Sequence, residues 1–86
     1  MSVNMSGLIP LIMLNPGEEG EVVYIHGGWG ILRRLAELGI YPGARVRMEN
    51  KSWGPVVLWV SGVRIAIGRG MASRIYVRPL GPRRTL

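Results

Sequence analysis

The segment Ile31 to Met48, ILRRLAELGIYPGARVRM, narrows the folds open to this chain more than any other. Leu32, Leu35 and Leu38 recur at three-residue spacing, with Ile31 four before Leu35, so one apolar stripe runs along a helix. Gly39 stands where a helix ends in a left-handed residue, a conformation open to glycine because it lacks a Cβ. Ile40 follows as the apolar partner that folds back on the last turn. In Tyr41-Pro42-Gly43-Ala44, Pro42 and Gly43 take the two central positions of a type II turn. Beyond it Val46 and Met48 alternate with Arg45, Arg47 and Glu49, the period of a strand. A short helix is capped, turned and passed into a strand, the layout of a small β domain with one helix.

The remaining chain reads as one unit. Met1 to Gly7 is small and polar, Pro10 to Leu14 is a packing segment, and Asn15-Pro16-Gly17 breaks it. An acidic turn, Glu18-Glu19-Gly20, precedes a strand from about Glu21 to His26, and Gly27-Gly28-Trp29-Gly30 is a flexible entry to the helix. Val56 to Val60, VVLWV, is apolar throughout, as in a strand covered on both faces. Ser61-Gly62 reverses it into Val63 to Ile67, a β-hairpin. Gly68 to Ser73 makes a turn or a single helical turn, and Ile75 to Arg78 a last strand. The expected organisation is a flexible lead-in over 1–8, a domain over 9–78 and a flexible basic tail over 79–86. Five short strands and one helix cannot hide two sheet faces. A mainly β, partly open small barrel instead buries one face on itself, with Leu32, Leu35 and Leu38 plugging one mouth.

Eighty-six residues hold a small core of modest stability. Eleven basic residues, ten of them arginine, against five acidic ones give a net charge of +6, which favours anionic partners without choosing among them. There is no cysteine, which removes disulfides, thiolate nucleophiles and zinc-thiolate sites and is compatible with a cytoplasmic location. Leu8 to Leu14 is too short to cross a bilayer and no cation precedes it, so neither signal peptide nor membrane insertion is expected.

Four stretches, PLIMLNPGEEGEVVYI, RRLAELGIYPGARVRM, GPVVLWVSGVRIAI and MASRIYV, together resemble the ferrous iron transport protein A (FeoA) family over residues 10 to 78. RLAELGIYPG carries most of the resemblance, with Arg34, Leu35, Leu38, Gly39, Pro42 and Gly43 in the family's places. The resemblance implies an SH3-like barrel and a cytoplasmic accessory role in iron(II) uptake. The implied partner is a large membrane permease with a GTP-binding domain. A related module ends iron- and manganese-dependent repressors, so the resemblance leaves a regulatory role open.

Catalysis has few candidates. One histidine, no aspartate and five glutamates leave little for a general base or an activated nucleophile, and no enzyme is expected. His26 and the glutamates show no metal-ligand spacing, so no cofactor is required. Iron(II) or another divalent transition metal would bind weakly, or at a site completed by a second chain. The glycines before the helix match neither a P-loop nor a dinucleotide fingerprint. Arg33, Arg34 and Glu37 lie off the apolar stripe beside Trp29, and Trp53 sits near the tip of the Asn50 to Pro55 loop. A solvated face is the plain explanation, yet arginine with tryptophan is the composition of contact sites, so these five are the expected partner-binding residues. The first reading is therefore a protein adaptor on the permease. The second is a nucleic-acid-binding barrel, disfavoured because the arginines are dispersed and no strand-borne aromatic platform is evident. Exposed strand edges also leave homo-oligomers open.

Overall fold

The computed structural model describes residues 7–82. Its elements are β1 (Ile9–Pro10), a 3-10 turn (Leu11–Met13), β2 (Glu18–Ile25), α1 (Trp29–Glu37), β3 (Arg45–Asn50), β4 (Val56–Val60), β5 (Val63–Ile67), α2 (Arg69–Ala72) and β6 (Ile75–Pro82). All neighbouring strands are antiparallel, in one sheet of order β1-β6-β2-β3-β4-β5. The two end strands do not pair, so the barrel is partly open. The expected five strands are six, because Ile9 and Pro10 pair with Val77 and Tyr76.

The core lies on the inner face. Val22, Val46, Met48, Val56, Leu58, Val60, Ile75 and Val77 meet Leu11 from the 3-10 turn, Leu14 just after it, Leu35 from α1, and Ile40. Among the described residues no polar or charged side chain is buried. The apolar effect alone therefore closes the interior.

The helix ends as the sequence dictates. Gly39 has φ +87° and donates its N–H to the Ala36 carbonyl at 2.9 Å, while the Ile40 N–H reaches the Leu35 carbonyl at 2.9 Å. These two bonds make a Schellman cap, which satisfies carbonyls that a helix end otherwise leaves orphaned. The type II turn is also present: the Ala44 N–H donates to the Tyr41 carbonyl at 2.9 Å, with Gly43 at φ +100°.

The plug differs from expectation. Leu35 is fully buried and Leu32 half-buried, but Leu38 is 40% exposed. Leu38 is the C-cap residue, where the chain leaves the helical path, and the reversal at Gly39 delivers Ile40 to the core in its place. The helix also begins at Trp29, taking in part of the glycine-rich entry.

Strand ends shift too. The Glu18-Glu19-Gly20 turn is the first part of β2, because β6 continues to Pro82 and pairs with it through Glu18↔Pro82, Glu19↔Gly81 and Gly20↔Pro79. The tail expected from residue 79 thus contributes residues 79–82 to the sheet, while residues 83–86 and 1–6 lie outside the described residues. VVLWV is covered on one face only: Val56, Leu58 and Val60 are buried, whereas Val57 and Trp59 are half-buried. Among the described residues no second layer packs on the outer face, and single side chains such as Arg47 over Trp59 shield it instead.

Candidate functional site

Trp29, Leu32, Arg33 and Ala36 are spaced i, i+3, i+4 and i+7, which places them on one face of α1. The Schellman cap and the Pro42 turn fold Ile40, Tyr41 and Pro42 back against that face. With Ile25 at the end of β2 they line a solvent-open groove of about 420 Å³. Ile25 and Ile40 are buried and form the floor, while Trp29, 85% exposed, and Tyr41, about half exposed, stand as its walls. Arg33 is the single charged side chain among the lining residues. An apolar trough with one cation at its margin suits an apolar side chain or helix edge from another protein.

Of the expected contact residues, the structure brings Trp29 and Arg33 together in this groove. Arg34 and Glu37 are exposed on α1 but do not line it. Trp53 is 89% exposed on the β3–β4 loop and is not part of the groove either. That loop is held at its base: the Arg69 guanidinium donates to the carbonyls of Lys51 at 2.7 Å and Gly54 at 3.3 Å. The Lys51 ammonium in turn donates to the Ile12 carbonyl at 3.0 Å. Sequence reasoning missed Ile25, Ala36, Ile40 and Tyr41. Ala36, seven residues after Trp29, was the available signal; Ile40 and Tyr41 join only through the chain reversal, and Ile25 through the packing of α1 on the end of β2.

The outer sheet face carries a polar network. Glu49 accepts from the Arg64 Nε–H at 2.5 Å and from the Trp59 Nε1–H at 2.6 Å, and the Arg47 guanidinium lies 5.7 Å from the centroid of the Trp59 ring. The Arg64 hydrogen bond, aided by that of Trp59, holds the Glu49 carboxyl below its ordinary value against the opposing loss of water. Arg78 faces Glu21 at 3.8 Å.

His26 lies beside Tyr24, whose hydroxyl is 3.4 Å from its Nδ1. Among the described residues no three His, Cys, Asp or Glu side chains gather as a closed metal site needs. No helix in these residues is long and apolar enough to cross a membrane.

Comparison with known proteins agrees with this fold. A Methanocaldococcus jannaschii protein assigned as Fe(2+) transport protein A is 39% identical over 70 residues, 81% of this chain and 85% of that protein. The crystal structure of an iron uptake regulatory protein, FeoA, superposes with a TM-score of 0.79 at 42% identity, covering 85% of this chain and 97% of that one. A Stenotrophomonas maltophilia FeoA, solved with zinc and described as an SH3 domain protein, gives a TM-score of 0.69 at 31% identity over 80% of this chain and 88% of its own. The barrel is accordingly SH3-like. The FeoA domain model matches residues 9–79, from β1 into β6, and with these relatives it shows that the chain belongs to the FeoA family.

Proposed function

We propose that this chain is a small cytoplasmic accessory protein of iron(II) transport, a non-enzymatic adaptor that docks on the GTP-binding domain of a ferrous iron permease. The family membership supports the pathway, and the groove between α1 and the Tyr41-Pro42 turn supports the mode of action. The observation that carries the reading is Trp29. A tryptophan 85% exposed at the lip of an apolar trough is costly to leave in water and is well placed as a binding anchor. Arg33 beside it supplies a cation for an acidic rim on the partner. Docking of this kind needs no metal on the chain itself.

The nucleic-acid reading has less to stand on. Arg47 lies over the ring of Trp59, which would otherwise offer a stacking surface, and Arg64 and Arg78 face Glu49 and Glu21. Arg69 is turned to backbone carbonyls.

The direct test is titration of this protein against the permease's cytoplasmic domain, with guanine nucleotide and iron(II) present under reducing conditions. Saturable binding that Trp29→Ala weakens is the expected result. Absence of binding, together with unchanged iron(II) uptake in cells lacking the chain, would remove the adaptor reading.

A further inference from the structure

The two ends of the sheet are unlike. β1 is two residues long and carries Pro10, whereas β5 has five residues, no proline or lysine, and unbroken register with β4 from Val56↔Ile67 to Val60↔Val63. Shortness, proline, lysine and bulges are the devices that stop a sheet edge from pairing, and β5 has none of them. Its one charge, Arg64, leans back across the sheet onto Glu49 and away from the edge.

The backbone at this edge is unpaired. Ser61 and Gly62 have φ +50° and +79°, the two positive values of a type I′ turn, so the closing pair Val60 and Val63 exchanges both hydrogen bonds. Alternation then directs the N–H and C=O of Arg64 and Ala66 away from β4. Among the described residues no backbone group bonds to them, and both residues are exposed. On the inner face, Val63 is 60% exposed and Ile65 half-buried, so the apolar surface runs out to the edge unfinished.

We propose that β5 is the pairing edge for a second copy of this chain, the two sheets joining antiparallel about a two-fold axis through Ile65. The strand is self-complementary in that register. Arg64 stands opposite Ala66 of the second copy, and both present outward backbone groups, giving four hydrogen bonds. Ile65 meets Ile65 of the second copy and Val63 meets Ile67, which completes the inner apolar face. A slip of one residue sets outward groups against inward ones; a slip of two can set arginine against arginine. The small Ala66 is what lets both Arg64 side chains stay on Glu49. This surface is separate from the α1 groove, so it stands or falls independently of permease docking.

Sedimentation equilibrium over a wide concentration range tests the proposal, with amide hydrogen exchange on the same samples. The expected result is a reversible rise in mass from 9.5 kDa toward twice that value, with Arg64 and Ala66 amides gaining protection as the dimer forms. Ala66→Pro removes an outward donor in each copy and leaves the β4 pairing intact, so it should weaken the dimer about tenfold or more. Ile65→Lys, which sets two ammonium groups across the axis, should leave only monomer. Circular dichroism is the check that each variant remains folded. A parent chain monomeric to millimolar concentration overturns the proposal. So does a dimer in which the Arg64 and Ala66 amides exchange as fast as in the monomer. Protection of those amides only on adding the permease domain assigns the edge to a partner strand instead and equally overturns it.

Discussion

The Ile40 N–H donates to the Leu35 carbonyl at 2.9 Å, and both side chains are fully buried, while Leu38 between them is 40% exposed. A six-residue reversal, Leu35 to Ile40, thus brings both ends into the core and leaves Leu38 partly outside it. Truncating Leu35 to alanine leaves a cavity that the surrounding strands cannot refill, at an expected cost of about 2–5 kcal/mol. For a domain of this size that is a large share of its stability. Leu38→Ala should cost less, about 1 kcal/mol, because Leu38 is 40% exposed and its truncation opens no closed cavity. Urea melts of the two variants check the contrast, and equal losses would put Leu38 back in the core.

Two glycines are required for different reasons. At Gly39 the φ of +87° strains any L-residue, and an added Cβ would sit 3.3 Å from Val60 Cγ1. Gly39→Ala should destabilise by about 1–2 kcal/mol through backbone strain. At Gly20 the obstacle is packing: a Cβ would lie 3.0 Å from Val77 Cβ and 3.2 Å from Leu14 Cδ1. Gly20→Ala should cost about 1–3 kcal/mol by overpacking the β2–β6 contact. In a Val77→Ala background, which removes the Cγ2 that also lies 3.0 Å away but keeps the Cβ, that cost should shrink in part, whereas the cost of Gly39→Ala should not. A double-mutant cycle by denaturant melting reads the difference.

What the sequence reveals unaided is what adjacent residues decide. Leu38-Gly39-Ile40, Tyr41-Pro42-Gly43 and Ser61-Gly62 each carry their own conformational instruction, and each turn is found where those residues place it. Strand ends do not work that way. Glu18 and Glu19 read as a turn on composition, yet they are strand because Pro82 and Gly81, more than sixty residues later, supply a partner. The same limit applies to the contact surface. Trp29 and Arg33 are visible from their place on the helix, but Tyr41 joins them only after the cap has turned the chain, and Ile25 only where α1 packs on the end of β2. Trp53 looks equivalent to Trp29 in composition and is left outside the groove.

Glu49 gives a pH signature. With Arg64 and Trp59 hydrogen-bonded to it, its carboxyl titrates below the ordinary value near 4.5 when folded, while the unfolded chain titrates near that value. The unfolded state therefore binds more protons in the interval between the two, and stability rises with pH across it. The contribution is complete above the unfolded value and is lost as pH falls through the folded one. Denaturation midpoints measured from pH 6 downward should decline less steeply below about pH 4.5 in Glu49→Gln than in the parent. An identical acid limb in both would mean that the Arg64 contact contributes nothing in solution.

The groove and the β3–β4 loop make separable predictions for docking. Trp29→Ala removes the wall of the trough and the most exposed apolar side chain lining it, so affinity for the permease domain should fall by about thirtyfold, the scale of an interface anchor. Arg33→Ala should slow association and flatten its salt dependence, because a rim charge acts mainly by steering. Trp53→Ala, outside the groove, should change affinity by less than about threefold, as surrounding contacts usually do. Arg34→Ala and Glu37→Ala belong with it. Surface plasmon resonance on the variants separates the two rates. A Trp53→Ala defect as large as that of Trp29→Ala would extend the interface across the Arg69-anchored loop. A Trp29→Ala protein that binds like the parent would move the interface off α1 altogether.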